Sequence, residues 1–252
     1  MKDLKGKKAL ITGSTSGIGL GIARVLNAKG VHVILNGFGD MDGIQKIQNE
    51  LGADYINTDL SSEQGVIELC DKAGDVDILV NNAGIQHTDS IENFPSDKWD
   101  LIMSLMLSAP FYATKSLLPY MQGKGWGRIV NIASVHGLVG SPFKSAYVSA
   151  KHGLVGLTKV TALENAQNGI TCNAICPGWV LTPLVQKQID AIAEKDGISG
   201  DEARVKLLSE KEPTLGFTTP EEIGEMVAFL CSDASRNTTG SAYTMDGAWS
   251  AR

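Results

Sequence analysis

Strand-like runs alternate with helical patterns from one end of the chain to the other, and this rhythm constrains the fold more than any other feature. The runs are short, rich in Val, Ile and Leu, and bounded by Gly, Asp or Asn. Successive parallel strands need a crossover, usually a helix, so the rhythm predicts an α/β fold with a doubly wound parallel sheet of about seven strands. The predicted strands are 8–12, 32–36, 54–57, 77–81, 128–133, 171–176 and 242–245, and the clearest helices are 17–29, 99–121, 145–168 and 220–232.

A single domain over residues 1–252 is the simplest organisation, because no linker-like tract, repeat or low-complexity segment interrupts the chain. Hydrophobic residues make up 43% of the sequence and charged residues 20%, which is enough apolar material for a packed core. The segment 183–216 breaks the strand–helix rhythm with charged, helix-favouring residues. Insertions at the carboxyl ends of parallel strands often form lids, so we expect a small helical substrate lid there. A pair of solvated surface helices is an equally good interpretation.

The charge and the cysteines exclude several classes of partner. A net charge of -6 disfavours nucleic acid, which needs a basic face. The charged segment 1–8 lacks the apolar core of a signal peptide, and no apolar run approaches the ~20 residues of a membrane span. We therefore expect a soluble, cytoplasmic protein with no membrane partner.

The cysteines form no CxxC pair and indicate neither a metal site nor disulfides. They are Cys70, Cys172, Cys176 and Cys231.

A glycine-rich turn follows the first predicted strand directly and leads into a helix. It reads Thr12-Gly13-Ser14-Thr15-Ser16-Gly17-Ile18-Gly19. Glycines let the backbone approach a pyrophosphate closely, and the new helix presents unpaired N–H groups and the positive end of its dipole. The strand, turn and helix therefore predict a dinucleotide-binding site in the N-terminal third of the chain.

The end of the second predicted strand bears on the choice between NAD and NADP. Its residues, Asn36-Gly37-Phe38-Gly39, include neither an arginine for a 2′-phosphate nor an acid for the ribose hydroxyls. The missing base favours NAD. Phe38 either packs against the adenosine or is an ordinary core phenylalanine.

Further motifs make the whole chain resemble the short-chain dehydrogenase/reductase family. They are Asn81-Asn82-Ala83-Gly84, a serine at Ser134, the pair Tyr147 and Lys151, and Pro177-Gly178. The resemblance implies one Rossmann-type domain, and a homotetramer that pairs the long helices 99–121 and 145–168. It further implies dinucleotide contacts from Gly13, Ser14, Thr15, Ser16, Gly17, Ile18, Gly19, Phe38, Asp59, Leu60, Asn82, Ala83, Gly84, Tyr147, Lys151, Pro177, Gly178, Val180 and Thr182.

The Tyr147–Lys151 pair has a chemical reason of its own. Residues four apart share one helix face, so the Lys151 ammonium can lie beside the Tyr147 phenol. A neighbouring cation stabilises a phenolate, and we expect it to lower the tyrosine pKa towards working pH. Tyr147 then acts as general acid/base, Ser134 holds the substrate oxygen, and hydride passes to or from the nicotinamide.

Residues outside the general motifs are most similar to those of the D-3-hydroxybutyrate dehydrogenases within the family. The similarity implies that Gln86, His136, Lys144 and Gln188 hold a substrate carboxylate, and that Trp179 and Trp249 form an apolar wall. A small carboxylate needs a cation and several donors, which this set supplies. Taken singly, Lys144 is better explained as a solvated loop charge, His136 as a local hydrogen bonder and the tryptophans as core. Together, four polar residues that match one carboxylate-binding pattern reverse this preference.

Met106 departs from the family pattern. It stands on the helix that begins Trp99-Asp100, where members usually carry an asparagine that helps to link the catalytic lysine to solvent. A thioether accepts hydrogen bonds weakly and donates none. We therefore predict slower turnover than in a relative with asparagine, unless Ser104 or Ser108 substitutes.

Three functional hypotheses remain open from the sequence. The leading one is an NAD-dependent dehydrogenase that interconverts (R)-3-hydroxybutyrate and acetoacetate. The second is another reductase of the family, acting on a 3-oxoacyl thioester or a sugar acid. The third is a dinucleotide-binding sensor that lost its proton relay, for which Met106 is the support.

Overall fold

A single parallel sheet organises the protein, whose computed structural model describes residues 4–251. The described strands form a seven-stranded sheet of order β3-β2-β1-β4-β5-β6-β7, and every neighbouring pair is parallel. This confirms the predicted doubly wound α/β fold. Residues 1–3, part of the charged start, and Arg252 lie outside the described residues. The strands are β1 (Lys8–Ile11), β2 (His32–Asn36), β3 (Asp54–Ile56), β4 (Ile78–Asn81), β5 (Gly127–Ile132), β6 (Ile170–Pro177) and β7 (Ala242–Met245).

Helices cover both faces of the sheet because alternate strand residues point to opposite sides. On β1, Ile11 packs with the helices α1 and α9, whereas Leu10 packs with α3 and α5. Side-chain caps and acidic first turns define the starts of several helices; Thr219 and Glu222 form a capping box at α9. The helices are α1 (Gly17–Ala28), α2 (Met41–Leu51), α3 (Glu63–Ala73), α4 (Ser96–Met103), α5 (Ala109–Lys124), α6 (Ser145–Asn165), α7 (Pro183–Asp196), α8 (Gly200–Ser209) and α9 (Pro220–Cys231).

The long helix predicted at 99–121 contains a π-helical turn. Residues Ser104–Ser108 form this turn between α4 and α5, and sequence periodicity does not reveal it because apolar spacing at three and four continues through the wider turn. Together, Ser96–Lys124 form one 29-residue helix that is apolar enough, by length and composition alone, to cross a membrane. Asp100 and Lys115 interrupt its apolar run, and the expectation of no membrane partner stays a prediction. Its buried side, including Ala113, Leu117 and Met121, packs in the core beneath the sheet, as core helices of other proteins do.

The segment 183–216 forms two helices, α7 and α8, with a small apolar core of their own. Val185 and Ile189 of α7 pack against Ala203 and Leu207 of α8. The base of this helical pair is joined to the domain by backbone pairing, because Leu181 N–H donates to the Thr218 carbonyl (2.9 Å) and Thr218 N–H donates to that of Trp179 (3.1 Å). The predicted helical insertion is therefore present; its action as a lid stays a prediction.

Candidate active site

The glycine turn after β1 is held against the loop after β4 by an asparagine. The Asn82 side-chain amide donates to the carbonyls of Thr12 and Gly13, both at 2.9 Å, and Thr12 Oγ1 accepts from the backbone N–H groups of Asn82 and Ala83. A Cβ on Gly13 would lie 2.8 Å from the Ala83 Cα, and one on Gly19 would lie 2.3 Å from the Gly13 carbonyl oxygen. Larger residues at these two positions would push the two loops apart.

Helix α1 begins without a side-chain cap, unlike α2, α3, α7, α8 and α9, whose caps accept from the first turn. Ser16 takes the N-cap position in an extended conformation, and its side chain makes no capping hydrogen bond. The first N–H groups of α1 are therefore available to an external anion, and they carry the positive end of the helix dipole. This start fits the pyrophosphate of a dinucleotide.

A cavity of about 530 Å³ opens at the carboxyl ends of β1, β2, β4 and β5. Thirteen of the predicted dinucleotide contacts line it: Gly13, Thr15, Ser16, Gly17, Ile18, Phe38, Leu60, Asn82, Ala83, Gly84, Tyr147, Lys151 and Thr182.

Three predicted dinucleotide contacts, Ser14, Gly19 and Asp59, are not among the residues that line this cavity or the smaller one beside it. Ser14 is fully buried, and its hydroxyl donates to the Ile11 carbonyl (2.7 Å), so it secures the turn. Gly19 faces Gly13 within the turn. Asp59 is exposed, and its carboxylate accepts from the Ser61 N–H at 2.9 Å.

The adenosine end of the cavity has an exposed aromatic ring and little positive charge. Phe38 is 68% exposed, so its interpretation as a core phenylalanine was wrong. Its neighbour Asn36 is buried and donates to the Ile56 carbonyl, which fixes the end of β2. Among the described lining residues, Lys151 is the one basic side chain, and it lies at the far end beside Tyr147. The arrangement fits a dinucleotide without a 2′-phosphate.

A second, smaller cavity of about 200 Å³ adjoins the first. Tyr147, Ile18, Gln86 and Thr182 line both cavities, so the tyrosine stands where they meet. The remaining predicted site residues that line the smaller cavity are Ser134, His136, Lys144, Trp179, Gln188, Trp249, Pro177, Gly178 and Val180. The structure thus brings all six predicted substrate-binding residues to one place.

Burial sets the protonation of the Tyr147–Lys151 pair. The Lys151 ammonium lies 5.7 Å from the Tyr147 ring centroid and donates to the Ile132 carbonyl at 2.7 Å. Burial lowers the pKa of Lys151 to about 8, and burial raises the pKa of Tyr147 despite a hydrogen bond with Ser134 that lowers it. The expected lowering of the tyrosine pKa by its neighbour was therefore wrong for the protein alone. Desolvation disfavours the charged form of each group, because both are buried together.

The polar side chains of the smaller cavity form few hydrogen bonds within the protein. His136 is 6% exposed, its Nε2 has no partner among the described residues, and the same holds for Trp179 Nε1. Burial and the nearby Lys144 lower the pKa of His136 to about 4, so the imidazole is neutral at pH 7. Burial also lowers the pKa of Lys144. Unpartnered donors and a desolvated ammonium leave room for a ligand that supplies acceptors.

Strained backbone conformations precede two residues of this cavity. Phe143 has φ of 65° and comes directly before Lys144, and Ala248 has φ of 70° and comes directly before Trp249. Residues with side chains enter this left-handed region at a cost, and such strain concentrates at binding sites. Both side chains are therefore held in place at some cost to stability.

Met106 lies at the centre of the π-helical turn and is 2% exposed. It packs with Ile102, Ala146 and Ala150, and it lines the larger cavity next to Gly84. Its thioether therefore occupies an apolar cluster that touches Tyr147.

Several cavity residues were not predicted from the sequence. Most of them follow strands or begin α7, which is the signal that could have found them. They are Asn36, Gly37, Thr58, Ile85, Leu105, Ile132, Ala133, Val135, Pro183, Leu184 and Val185.

Comparisons with known proteins agree with this geometry. A family model described as enoyl-(acyl carrier protein) reductase matches residues 13–250. The chain is 52% identical to a D-beta-hydroxybutyrate dehydrogenase of Cupriavidus necator, covering 99% of this chain and 100% of that protein. It is 46% identical to a D-beta-hydroxybutyrate dehydrogenase of Rhizobium meliloti, covering 98% and 99%. Among solved structures, L-sorbose reductase from Gluconobacter frateurii, complexed with NADPH and L-sorbose, has a TM-score of 0.89 at 30% identity, covering 98% and 97%.

Proposed function

Because the chain belongs to the short-chain dehydrogenase/reductase family and is an oxidoreductase, we propose that it interconverts (R)-3-hydroxybutyrate and acetoacetate with NAD. The observation that carries the proposal is the smaller cavity, where Gln86, His136, Lys144 and Gln188 surround one space next to Tyr147. The two relatives with the same named activity support it.

The polar residues of the cavity suit a carboxylate, and its two tryptophans suit a short alkyl chain. Lys144 supplies the positive charge, and neutral His136 supplies an N–H donor from a nitrogen without a partner in the protein. Charge-assisted hydrogen bonds of this kind are the strong ones in protein sites. Trp179 and Trp249 line the same space with aromatic surface, and a volume of about 200 Å³ fits a molecule of this size.

Tyr147 and Ser134 handle the reacting oxygen in this proposal. Bound NAD supplies the hydride acceptor for oxidation of the alcohol. Ser134 orients the substrate hydroxyl, and Tyr147 takes its proton during oxidation and returns it during reduction. Lys151, held by the Ile132 carbonyl, places its charge beside the phenol at the moment when the phenolate develops.

The end of the larger cavity beside β2 supports NAD, rather than NADP, as the cofactor in this proposal. The short stretch after β2 presents Gly37 and the exposed Phe38 where a 2′-phosphate would need a basic partner. The L-sorbose reductase neighbour was solved with NADPH, so the preference of this chain is a property to be measured with both cofactors.

A homotetramer in the cytoplasm completes the proposal. The helices α4, α5 and α6 carry exposed apolar residues, including Trp99, Phe111 and Leu163, that a subunit contact would cover. All four cysteines are buried and unpaired, which suits a reducing compartment.

The test follows NADH absorbance with purified protein, NAD and each enantiomer of 3-hydroxybutyrate, with NADP as the matched control. We expect activity with NAD and the R enantiomer, and its loss in Tyr147→Phe. Activity on a 3-oxoacyl thioester or a sugar acid in place of the hydroxy acid would select the rival reductase. NAD binding without turnover of any substrate would select the sensor.

A further inference from the structure

Four side chains stack in a row that runs from the surface to the catalytic tyrosine. The Lys211 ammonium lies 4.8 Å from the Trp249 ring centroid. The Trp249 ring meets the His136 ring edge-on at 5.2 Å between centroids, and His136 meets Tyr147 in the same way at 5.9 Å. The three rings line the substrate cavity, whereas Lys211 contacts the Trp249 ring and is not among the described residues that line the cavity. The lysine therefore supports one wall of the cavity without entering it.

Lys211 is fixed in this place by its neighbour in sequence. Glu212 is 1% exposed, and its carboxyl accepts a hydrogen bond from the Trp179 backbone N–H. The carboxyl is wedged beside two glycines: a Cβ on Gly178 would lie 2.0 Å from Glu212 Oε1, and one on Gly247 would lie 3.2 Å from Oε2. These contacts hold the chain after α8 between the ends of β6 and β7. Because Lys211 directly precedes Glu212, its position beside Trp249 is fixed as well.

Two lysines bring positive charge to this end of the cavity without a compensating acid. Lys211 lowers the pKa of both Lys144 and His136 through its charge. Within residues 4–251, neither lysine forms an ion pair. Two buried acids beside the turn after β7 make other contacts: the Glu212 carboxyl, whose pKa is raised by burial, accepts from the Trp179 N–H, and Asp246 accepts hydrogen bonds from Ser250. Uncompensated like charges at one cavity end favour a bound anion.

We propose that Lys211 is a specificity-determining residue, which holds Trp249 by a cation–π contact and adds a second positive charge behind the carboxylate-binding end of the cavity. The inference rests on the proposed function, since it concerns how that site distinguishes an acid from a neutral molecule of the same shape. From the two centroid distances, the ammonium lies within about 10 Å of the His136 ring. At that range, and at an effective dielectric between protein and water, one charge changes the affinity for an anion by about three- to tenfold.

The experiment compares (R)-3-hydroxybutyrate with its methyl ester, which has the same carbon chain and no charge. The measured quantity is the ratio of kcat/KM for the acid to kcat/KM for the ester, in wild type, Lys211→Met, Lys211→Gln and Lys211→Arg. We expect the ratio to fall about three- to tenfold in the Met and Gln variants, because KM for the acid rises. In the Arg variant the ratio should equal that of the wild type. The KM for NAD and the unfolding temperature control for the fold, and the Gln variant replaces the Met variant if the latter folds poorly. The fall of acid kcat/KM with added salt should be shallower in both neutral variants.

An unchanged ratio in the neutral variants would overturn the proposal, and so would an Arg variant that behaves like the Met variant, because packing alone would then explain the effect. Lys144→Met separates this failure from that of the proposed function. If Lys144→Met abolishes the preference for the acid while the Lys211 variants retain it, the proposed function stands and the role of Lys211 falls. If the wild-type enzyme shows no preference for the acid, the proposed function and the role of Lys211 are both wrong.

Discussion

His136 should make the folded protein sensitive to mild acid. Its pKa is about 4 in the folded protein, against an ordinary value of 6.5, because burial and the charge of Lys144 oppose protonation. As the pH falls through 6.5, His136 binds a proton in the unfolded chain but stays neutral in the folded protein. The stability contributed by the neutral imidazole is therefore complete above about pH 6.5 and is lost as the pH falls towards 4.

The size of this loss follows from the two pKa values. Between pH 7.5 and pH 5.0, His136 should cost the folded protein about 2 kcal/mol, and the loss approaches about 3 kcal/mol below pH 4. For a chain of this length, about 2 kcal/mol corresponds to roughly 4–8 °C in unfolding temperature. The assay is urea unfolding followed by far-UV circular dichroism at both pH values, at one fixed protein concentration, for wild type, His136→Gln and His136→Leu.

Both variants should lose about 2 kcal/mol less than wild type between the two pH values. Because one replacement is polar and the other apolar, a shared result assigns the effect to titration and not to packing. The reasoning would be refuted if the variants lost as much free energy of unfolding as wild type, since His136 would then protonate in the folded protein at its ordinary pKa.

Other predictions test the remaining parts of the site. Lys144→Met should lower kcat/KM for the acid about 10- to 100-fold, the value of a charged hydrogen bond, while differential scanning fluorimetry shows an equal or higher unfolding temperature because a half-buried ammonium that burial disfavours is removed. Met106→Asn should raise kcat and lower the free energy of unfolding by about 1–3 kcal/mol, since an amide enters an apolar cluster; an unchanged kcat would exclude this position from proton transfer. Gly19→Ala should weaken NAD binding at least about tenfold in calorimetry, because its Cβ would lie 2.3 Å from a carbonyl, whereas Gly123→Ala, which meets nothing within 4 Å, should not. Since burial raises the pKa of Tyr147, kcat/KM for alcohol oxidation should increase from pH 7 to pH 9, and a flat profile would contradict that protonation state.

Local patterns predicted the sheet and the dinucleotide half of the site because their signals are contiguous in sequence. The glycine turn and the Asn82-Ala83-Gly84 stretch each occupy a few adjacent residues, and the order of strand, turn and helix fixes where they lie. The family resemblance supplied the substrate half, since Gln86, Lys144 and Trp249 are far apart in sequence and have ordinary explanations when taken singly.

What the sequence could not predict depends on packing. The pKa of Tyr147 is raised by desolvation, and the spacing of Tyr147 and Lys151 along a helix does not reveal that the fold buries both groups. The π-helical turn around Met106 keeps the same apolar spacing as an ordinary helix. Lys211 sits in a charged stretch and gains a role only when Glu212 pins that stretch beside Trp249.

The two adjoining cavities draw on different parts of the chain. The larger is built mainly from short loops after β1, β2 and β4 and takes Pro183 and Leu184 from the start of α7, whereas the smaller takes Val185 and Gln188 from α7 and Trp249 from the turn after β7. Variants of this protein can therefore change the segments that line only the smaller cavity and keep those that line the larger one. A search for new substrates should therefore diversify residues 185–216 and 246–250 and leave the glycine turn, Ser134, Tyr147 and Lys151 unchanged, since the segments that shape the smaller cavity are separate from those that carry the cofactor site and the proton transfer.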